Sequence, residues 1–527
     1  MFPIQIPAFG ETNFFDNQES QTARVVLIAD ATAENFAAYC TLLESAGFTA
    51  RQTFTAEHRC FVAYEKDGWG VFVNYFAGTA QLQLVVEENT AYFAYVDCAG
   101  AASTVPQLTQ VFLSDYGLSD VIRLPDGRLI IIDGADIYEK DIDNLFARLQ
   151  TDSLGKKPVI AAWIFTHPHS DHYYCFFPFI QKYGNEVTIE KFFFNFPEGD
   201  DLIHYPRLEN NEQKFAQWLG VETVTGSEIL NRFRCIVKEM GIPVYTPHTG
   251  QTYQIGEANL QILASMDDTL HCSRNINAAS LMFTMELAGQ KIFFGGDGSF
   301  SDACLAERYG SELKSDILQV PHHGFGCGTD SGQIAGYRLI DPQVCLLPVQ
   351  QSLAYTTFTT YREGTNYLFT RMPIQEMRTG EKEQTLQLPY TPDPAGAYEL
   401  QKRYLQGRED AGARTWVFTD LNTGRKEDFV FSVLNITYYN AEITVELYFE
   451  DLQKKIIRVN NQGLRLGVFR LNCLLRPDED QSLFEAPDFL ESMGIPENTN
   501  FAVRFTSNLP VVISHREHKP AYHSCIV

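Results

Sequence analysis

One segment of the chain crowds together four side chains that can bind a metal ion: Thr166-His167-Pro168-His169-Ser170-Asp171-His172. It follows directly on the apolar run Val159–Phe165, which is expected to be a buried strand. Four such groups in one strand-to-helix loop are hard to explain as packing, because burying them without partners is costly. Imidazole and carboxylate together suit Zn²⁺, with Fe and Mn as the competing choices. The chemistry to expect is attack by a metal-activated water. The sequence offers no Ser-His-Asp or Cys-His arrangement and no Gly-x-x-x-x-Gly-Lys-Ser/Thr phosphate loop as a rival.

The elements that must position this loop lie on both sides of it. Val121–Leu124 and Arg128–Ile132 flank the turn signal Pro125-Asp126-Gly127 and should pair as a hairpin. Asp133 ends the second of these strands, and a helical stretch Ile142–Gln150 leads on to Val159–Phe165. Later apolar runs, Asn259–Ala264, Ser280–Leu287 and Lys291–Phe294, read as further strands. Gly295-Gly296-Asp297 follows the last of them, and paired glycines let a backbone pass where a Cβ would crowd a metal site. The run Leu318-Gln319-Val320-Pro321 then delivers His322-His323-Gly324. Adjacent residues on an extended strand point to opposite faces, so one of the two histidines is expected to be a ligand. His322 is preferred because it comes directly off the strand end. His323 is left to hydrogen-bond substrate or a ligand.

These parts together describe an α/β domain over residues 106–395, with ligands at strand ends. Residues 1–105 read as a small α+β accessory domain, with a strand Arg24–Ile28 and a helix Ala33–Ala46 stopped by Gly47. Residues 396–527 read as a β-rich accessory domain ending in His515, His518 and His523, taken as a solvated tail. Tyr173, Tyr174, Phe176 and Phe177 are read as core packing.

The His-x-His-x-Asp-His loop resembles the metallo-β-lactamase superfamily. Ile130-Ile131-Ile132-Asp133-Gly134, Phe293-Phe294-Gly295-Gly296-Asp297-Gly298 and Leu318-Gln319-Val320-Pro321-His322-His323-Gly324 resemble three more of its elements, in the family's order. The resemblance implies a four-layer αββα sandwich with a dinuclear metal centre at its edge. It gives His167 and His169 to one metal, Asp171, His172 and His322 to the other, and Asp297 to both. Asp133 is implied to support the ligands, and Asp171 to orient the attacking water and handle its proton. The family's third His of the first metal should follow the strand Asn259–Ala264, which favours His271 over His204 and His248. Asn275-Ile276-Asn277-Ala278-Ala279-Ser280 instead resembles a branch with an Asn-x-x-Ser segment in that region. That branch includes the hydrolase domain of DNA-uptake channels, which also closes on His-His-Gly, and it makes Asn277 a residue that supports ligands or touches substrate.

Charge and composition narrow the partner. With 41 Lys+Arg against 66 Asp+Glu, the formal charge of −25 disfavours a long polyanion. No apolar run nears the roughly 20 residues needed to span a bilayer. The first 23 residues hold no Lys or Arg, and the eleven cysteines are an odd, scattered set, as in a reducing cytoplasm. The expectation is a cytoplasmic hydrolase with two Zn²⁺ per chain and a small ester substrate, with a phosphoester or phosphodiester preferred. A slow or non-catalytic metal-containing binding module and a nuclease are the alternatives.

Overall fold

The computed structural model describes residues 4–7, 14–19, 23–88, 91–97, 99–114, 117–197, 212–269, 276–326, 328–349, 368, 372, 374–393, 413–423, 428, 430–435, 437, 439–450, 454–461, 466–470 and 498–515. They form a mixed α/β chain with several sheets. They fall into two compact units, the first reaching residue 396 and the second made chiefly of residues from 397 onward.

Strands Leu129–Ile132 and Val159–Ile164 run parallel in the first unit, and helix Glu139–Asp152 makes the crossover between them. Asp120–Arg123 pairs antiparallel with Leu129–Ile132 across the Pro-Asp-Gly turn. All four residues of Leu129–Ile132 are buried, which explains its unbroken apolar run. Leu129 and Ile131 join Ile142, Leu145 and Leu149 of the crossover helix in one apolar cluster. Ile130 and Ile132 face the other way, into a cluster shared with Leu260, Ile262, Phe283, Ile292 and Phe294 of a second sheet. Sheet therefore packs on sheet, with helices behind the first.

The second sheet begins as an antiparallel meander of Thr252–Ile255, Ala258–Ala264, Met282–Leu287 and Gln290–Phe294. It continues in parallel through Ile317–Gln319, Val344–Leu347 and Glu376–Thr379. Its outer side is covered too, where Phe293 meets Phe300 and Phe300 meets Tyr337 of helix Asp330–Ile340. The carboxyl ends of the parallel strands of both sheets meet at one edge, where Leu281 N donates to Thr166 O (2.9 Å). Loops at such ends are where α/β folds place ligands.

A third, antiparallel sheet of six strands from Phe14–Glu19 to Gln81–Glu87 belongs to the same compact unit. Helix Ala33–Ser45, capped by a reciprocal Thr32–Asn35 box, buries Tyr39 and Leu43 on one face of it. The rest of the unit meets it through buried polar groups. Gln83 Nε2 donates to Asp268 Oδ1 (2.9 Å), which also accepts from Arg308, and Asn74 Nδ2 donates to Thr249 O (2.8 Å). His248 lies between Asp267 (2.6 Å) and Glu87 (3.1 Å) and stacks on Phe72.

The second unit, taken by itself, is an antiparallel sheet in which the long strand Asn500–His515 pairs with Ala413–Asn422, Ala441–Phe449 and Val430–Asn435. Ile443, Val445, Val503 and Phe505 lie in its core. Among the described residues no helix is long and apolar enough to cross a membrane.

Burial alone would lower the pKa of His248, but the carboxylates of Asp267 and Glu87 outweigh it and hold the imidazolium to about pH 10. In the unfolded chain the proton leaves near pH 6.5, at the ordinary histidine value. The stabilisation is therefore complete below about pH 6.5 and is lost as pH rises through about 10, an effect on the order of 5 kcal/mol. Unfolding free energy should fall more steeply across that window in the native protein than in His248→Gln. Equal slopes in denaturant titrations of the two proteins would show that His248 is not protonated in the fold.

Candidate metal centre

Asp133 is the first residue beyond Leu129–Ile132, and its backbone is left-handed (φ 56°). That turn sends its carboxylate across to the neighbouring parallel strand. Oδ1 accepts from Thr166 N (2.7 Å), and Oδ2 accepts from Thr166 Oγ1 (2.7 Å) and lies 2.8 Å from His172 Nδ1. Both ends of the His-rich loop are thereby tied to one buried side chain. His172 Nε2 is left facing Asp297 Oδ1 at 3.2 Å.

Asp297 arrives from the other sheet, after strand Gln290–Phe294. Its backbone N donates to Ser280 Oγ (3.1 Å). The preceding Gly296 is also left-handed (φ 51°), and a Cβ there would stand 2.9 Å from Thr166 Cβ. Only glycine lets the two loops approach this closely.

The descent into His322 and His323 differs from the extended strand expected. The strand stops at Gln319, and Pro321–Gly324 is a tight turn with both histidines left-handed (φ 51° and 52°). Alternation of faces therefore does not apply. Such backbone costs roughly 1–2 kcal/mol per non-glycine residue and persists where surrounding contacts impose it. His323 Nε2 lies 3.1 Å from Asp171 Oδ2 and 3.5 Å from Asp297 Oδ1, and its Nδ1 faces Pro348 O at 3.3 Å. His322, the preferred ligand on sequence grounds, instead has Nε2 2.9 Å from Asn277 Nδ2 and 3.9 Å from Asp297 Oδ2.

Two groups of donors result. Asp171, His172, Asp297 and His323 form one, and His167, His169 and Asp297 form the other; within each, the donor atoms lie within 4.8 Å of one another. Asp297 is common to both. Among the described residues, Nε2 of His167 and of His169 are buried without a hydrogen-bond partner. Burial holds His167 well below the usual histidine range and His169 at about 4, so both keep the neutral form that offers a lone pair. Burial would raise Asp297 and Asp171, but the imidazoles of His172 and His323 hold both carboxylates ionised. Orphaned nitrogens, two ionised carboxylates and a close glycine approach are what a bound cation requires. The donor set accommodates Zn²⁺, Fe or Mn alike.

Tyr173, Tyr174, Phe176 and Phe177 lie in the apolar cluster behind the loop. His248 is occupied by Glu87 and Asp267. His271 and His204 fall outside the described residues. No role for Thr166 or Ser280 follows from the sequence, where each is only a hydroxyl near a metal-binding motif.

The chain matches no protein-family model and no curated protein. Among solved structures it is similar to CmlA, a diiron β-hydroxylase from Streptomyces venezuelae, at 11% identity over 60% of this chain and 69% of that one (TM-score 0.28). It is similar to a variant flavo di-iron protein from Thermotoga maritima at 10% identity, over 64% and 57% of the two chains (TM-score 0.20). The Anabaena sensory rhodopsin transducer matches at 22% identity over 20% of this chain and 95% of its own (TM-score 0.16). At scores this low the likenesses carry no argument about this chain, and its chemistry rests on the side-chain geometry.

The geometry predicts a stoichiometry pattern. Zinc titration of metal-free protein should give two equivalents for the native chain and for His322→Ala, one for His323→Ala, and weakened binding at both positions for Asp297→Ala. Loss of an equivalent in His322→Ala with two retained in His323→Ala would reverse the assignment of the two histidines.

Proposed function

We propose that the chain is a metal-dependent hydrolase of metallo-β-lactamase type, with a four-layer αββα core and a dinuclear centre. The observation that carries this reading is the sharing of Asp297 by two donor groups. His167 and His169 would hold one metal, Asp171, His172 and His323 the other, and Asp297 both. His271 is a further proposed donor to the first. A metal pair there would supply a Lewis acid and lower the pKa of water towards 7, with zinc as the preferred metal.

The chain's own residues do the rest. Asp133 holds His172 in the tautomer that leaves Nε2 free and fixes the loop through Thr166. Asp171 would orient water and take its proton. His322, whose side chain is 22% exposed while His323 is 2% exposed, is the histidine open to substrate, held there by Asn277. The substrate we favour is a small phosphoester or phosphodiester. An extended nucleic acid would meet a chain of charge −25, which opposes phosphate binding.

Metal-loaded protein should cleave a chromogenic phosphodiester, and Asp171→Asn should lower kcat by about 10²–10⁴-fold. Full occupancy by two metals without turnover on phosphoester, thioester or lactone panels would sink the hydrolase reading and leave a metal-containing binding module. Cleavage confined to single-stranded DNA at low salt would favour a nuclease.

A further inference from the structure

Behind the donor group that contains Asp171 and His323 lies a set of buried polar atoms that the proposed chemistry does not use. Gln110 and Asp120 are register partners on adjacent antiparallel strands, and Ser119 directly precedes the second strand. All three residues are essentially inaccessible to solvent. Among the described residues, both side-chain polar atoms of Gln110, the Ser119 hydroxyl and both carboxyl oxygens of Asp120 have no hydrogen-bond partner. Each orphan costs about 1–3 kcal/mol if it stays unmet, and the three on Gln110 and Ser119 belong to residues that border one space. Burial, with the nearby Asp133 charge adding to it, pushes the Asp120 carboxyl well above its ordinary range.

Gln110 and Ser119 line a cavity of about 10 Å³, together with Gly117, Pro348 and Gly380. That is room for one water molecule; Val111, Leu113 and Val349 add apolar walls, and Gln110 and Ser119 supply the polar side chains that a retained water needs. The cavity touches the metal centre from behind at two points. Pro348 O faces His323 Nδ1 at 3.3 Å. Gly117 sits against the Asp171 backbone, and the next residue, Leu118, donates its N–H to Asp171 O (3.1 Å). Asp171 and His323 are thus backed by the same small polar space.

We propose that this cavity holds an ordered water bound by Gln110 and Ser119, and that the two side chains act through it as positioning residues for Asp171 and His323. The inference rests on the reading of Asp171 and His323 as metal ligands. It adds a support that reaches them through Gly117 and Pro348, distinct from Asp133, which supports His172. Asp120 ends the chain of polar groups next to Gln110. It does not line the cavity, and Asp120→Asn keeps a hydrogen-bonding group of the same size, so that variant should behave as the native residue.

The test is cobalt(II) titration of metal-free native protein, Ser119→Ala, Gln110→Met and Asp120→Asn, followed by visible absorption. The native protein should take up two equivalents. Ser119→Ala and Gln110→Met should take up the first normally and bind the second about 10- to 100-fold more weakly, with an altered d–d spectrum. Asp120→Asn should match the native protein. A native-like second equivalent and spectrum in both Ser119→Ala and Gln110→Met would overturn the inference while leaving the metal reading intact. A native chain that takes up no second equivalent would overturn both. A high-resolution crystal structure should show a water within hydrogen-bond distance of Ser119 Oγ and the Gln110 amide; a dry cavity would overturn the proposal without touching the metal assignment.

Discussion

The centre depends on one buried carboxylate. Asp133 receives the Thr166 backbone and hydroxyl and faces His172 Nδ1, so it joins the end of one parallel strand to both ends of the His-rich loop on the next. It is wholly buried, and burial raises its pKa against the opposing pull of His172 and Thr166. A group in that position is stable only because its oxygens are met, and meeting them fixes the imidazole of His172 in place. Everything nearer the donor atoms inherits this geometry.

The second constraint is the meeting of two sheets at one edge. The first sheet delivers the loop 166–172, and the second delivers Asp297 and the histidine pair from neighbouring parallel strands. Neither sheet alone holds a complete group of donors, because Asp297 is common to both groups. The apolar cluster of Ile130, Ile132, Phe283 and Phe294 that fastens the sheets together is therefore also what brings the donors within reach. Ile132 of that cluster directly precedes Asp133, so packing and support of the donors meet at one strand end.

Much of this was legible in the sequence because its carriers are local. The apolar runs at 129–132 and 159–164, the Pro125-Asp126-Gly127 turn and the Gly295-Gly296 pair each express a short-range rule, and the strands and close approach follow them. The order of His322 and His323 was not legible. It hangs on two consecutive left-handed residues after the strand ends, a conformation imposed by tertiary contacts against local preference. Thr166 and Ser280 went unassigned for a related reason. A hydroxyl becomes informative only when its distant acceptor or donor, Asp133 or the Asp297 backbone, is known. The buried polar seam along the N-terminal sheet was invisible too, since Asn74, Gln83 and Glu87 sit in strands where they look like ordinary solvent-facing positions.

That seam bears on how the chain is made. The sheet ending at Glu87 leaves the ribosome long before its partners do: Gln83 waits for Asp268, 185 residues later, and Asn74 for Thr249, 175 later. Until then its strands can pair with one another, but Asn74, Gln83 and Glu87 must stay hydrated on a face that ends up buried. That face also carries Phe61, Phe72 and Val85, so the three polar residues interrupt an otherwise apolar surface that would invite association with other chains while it waits. The final contacts are non-local and slow to form. Residues that look like a liability in the finished interior are thus an asset during synthesis.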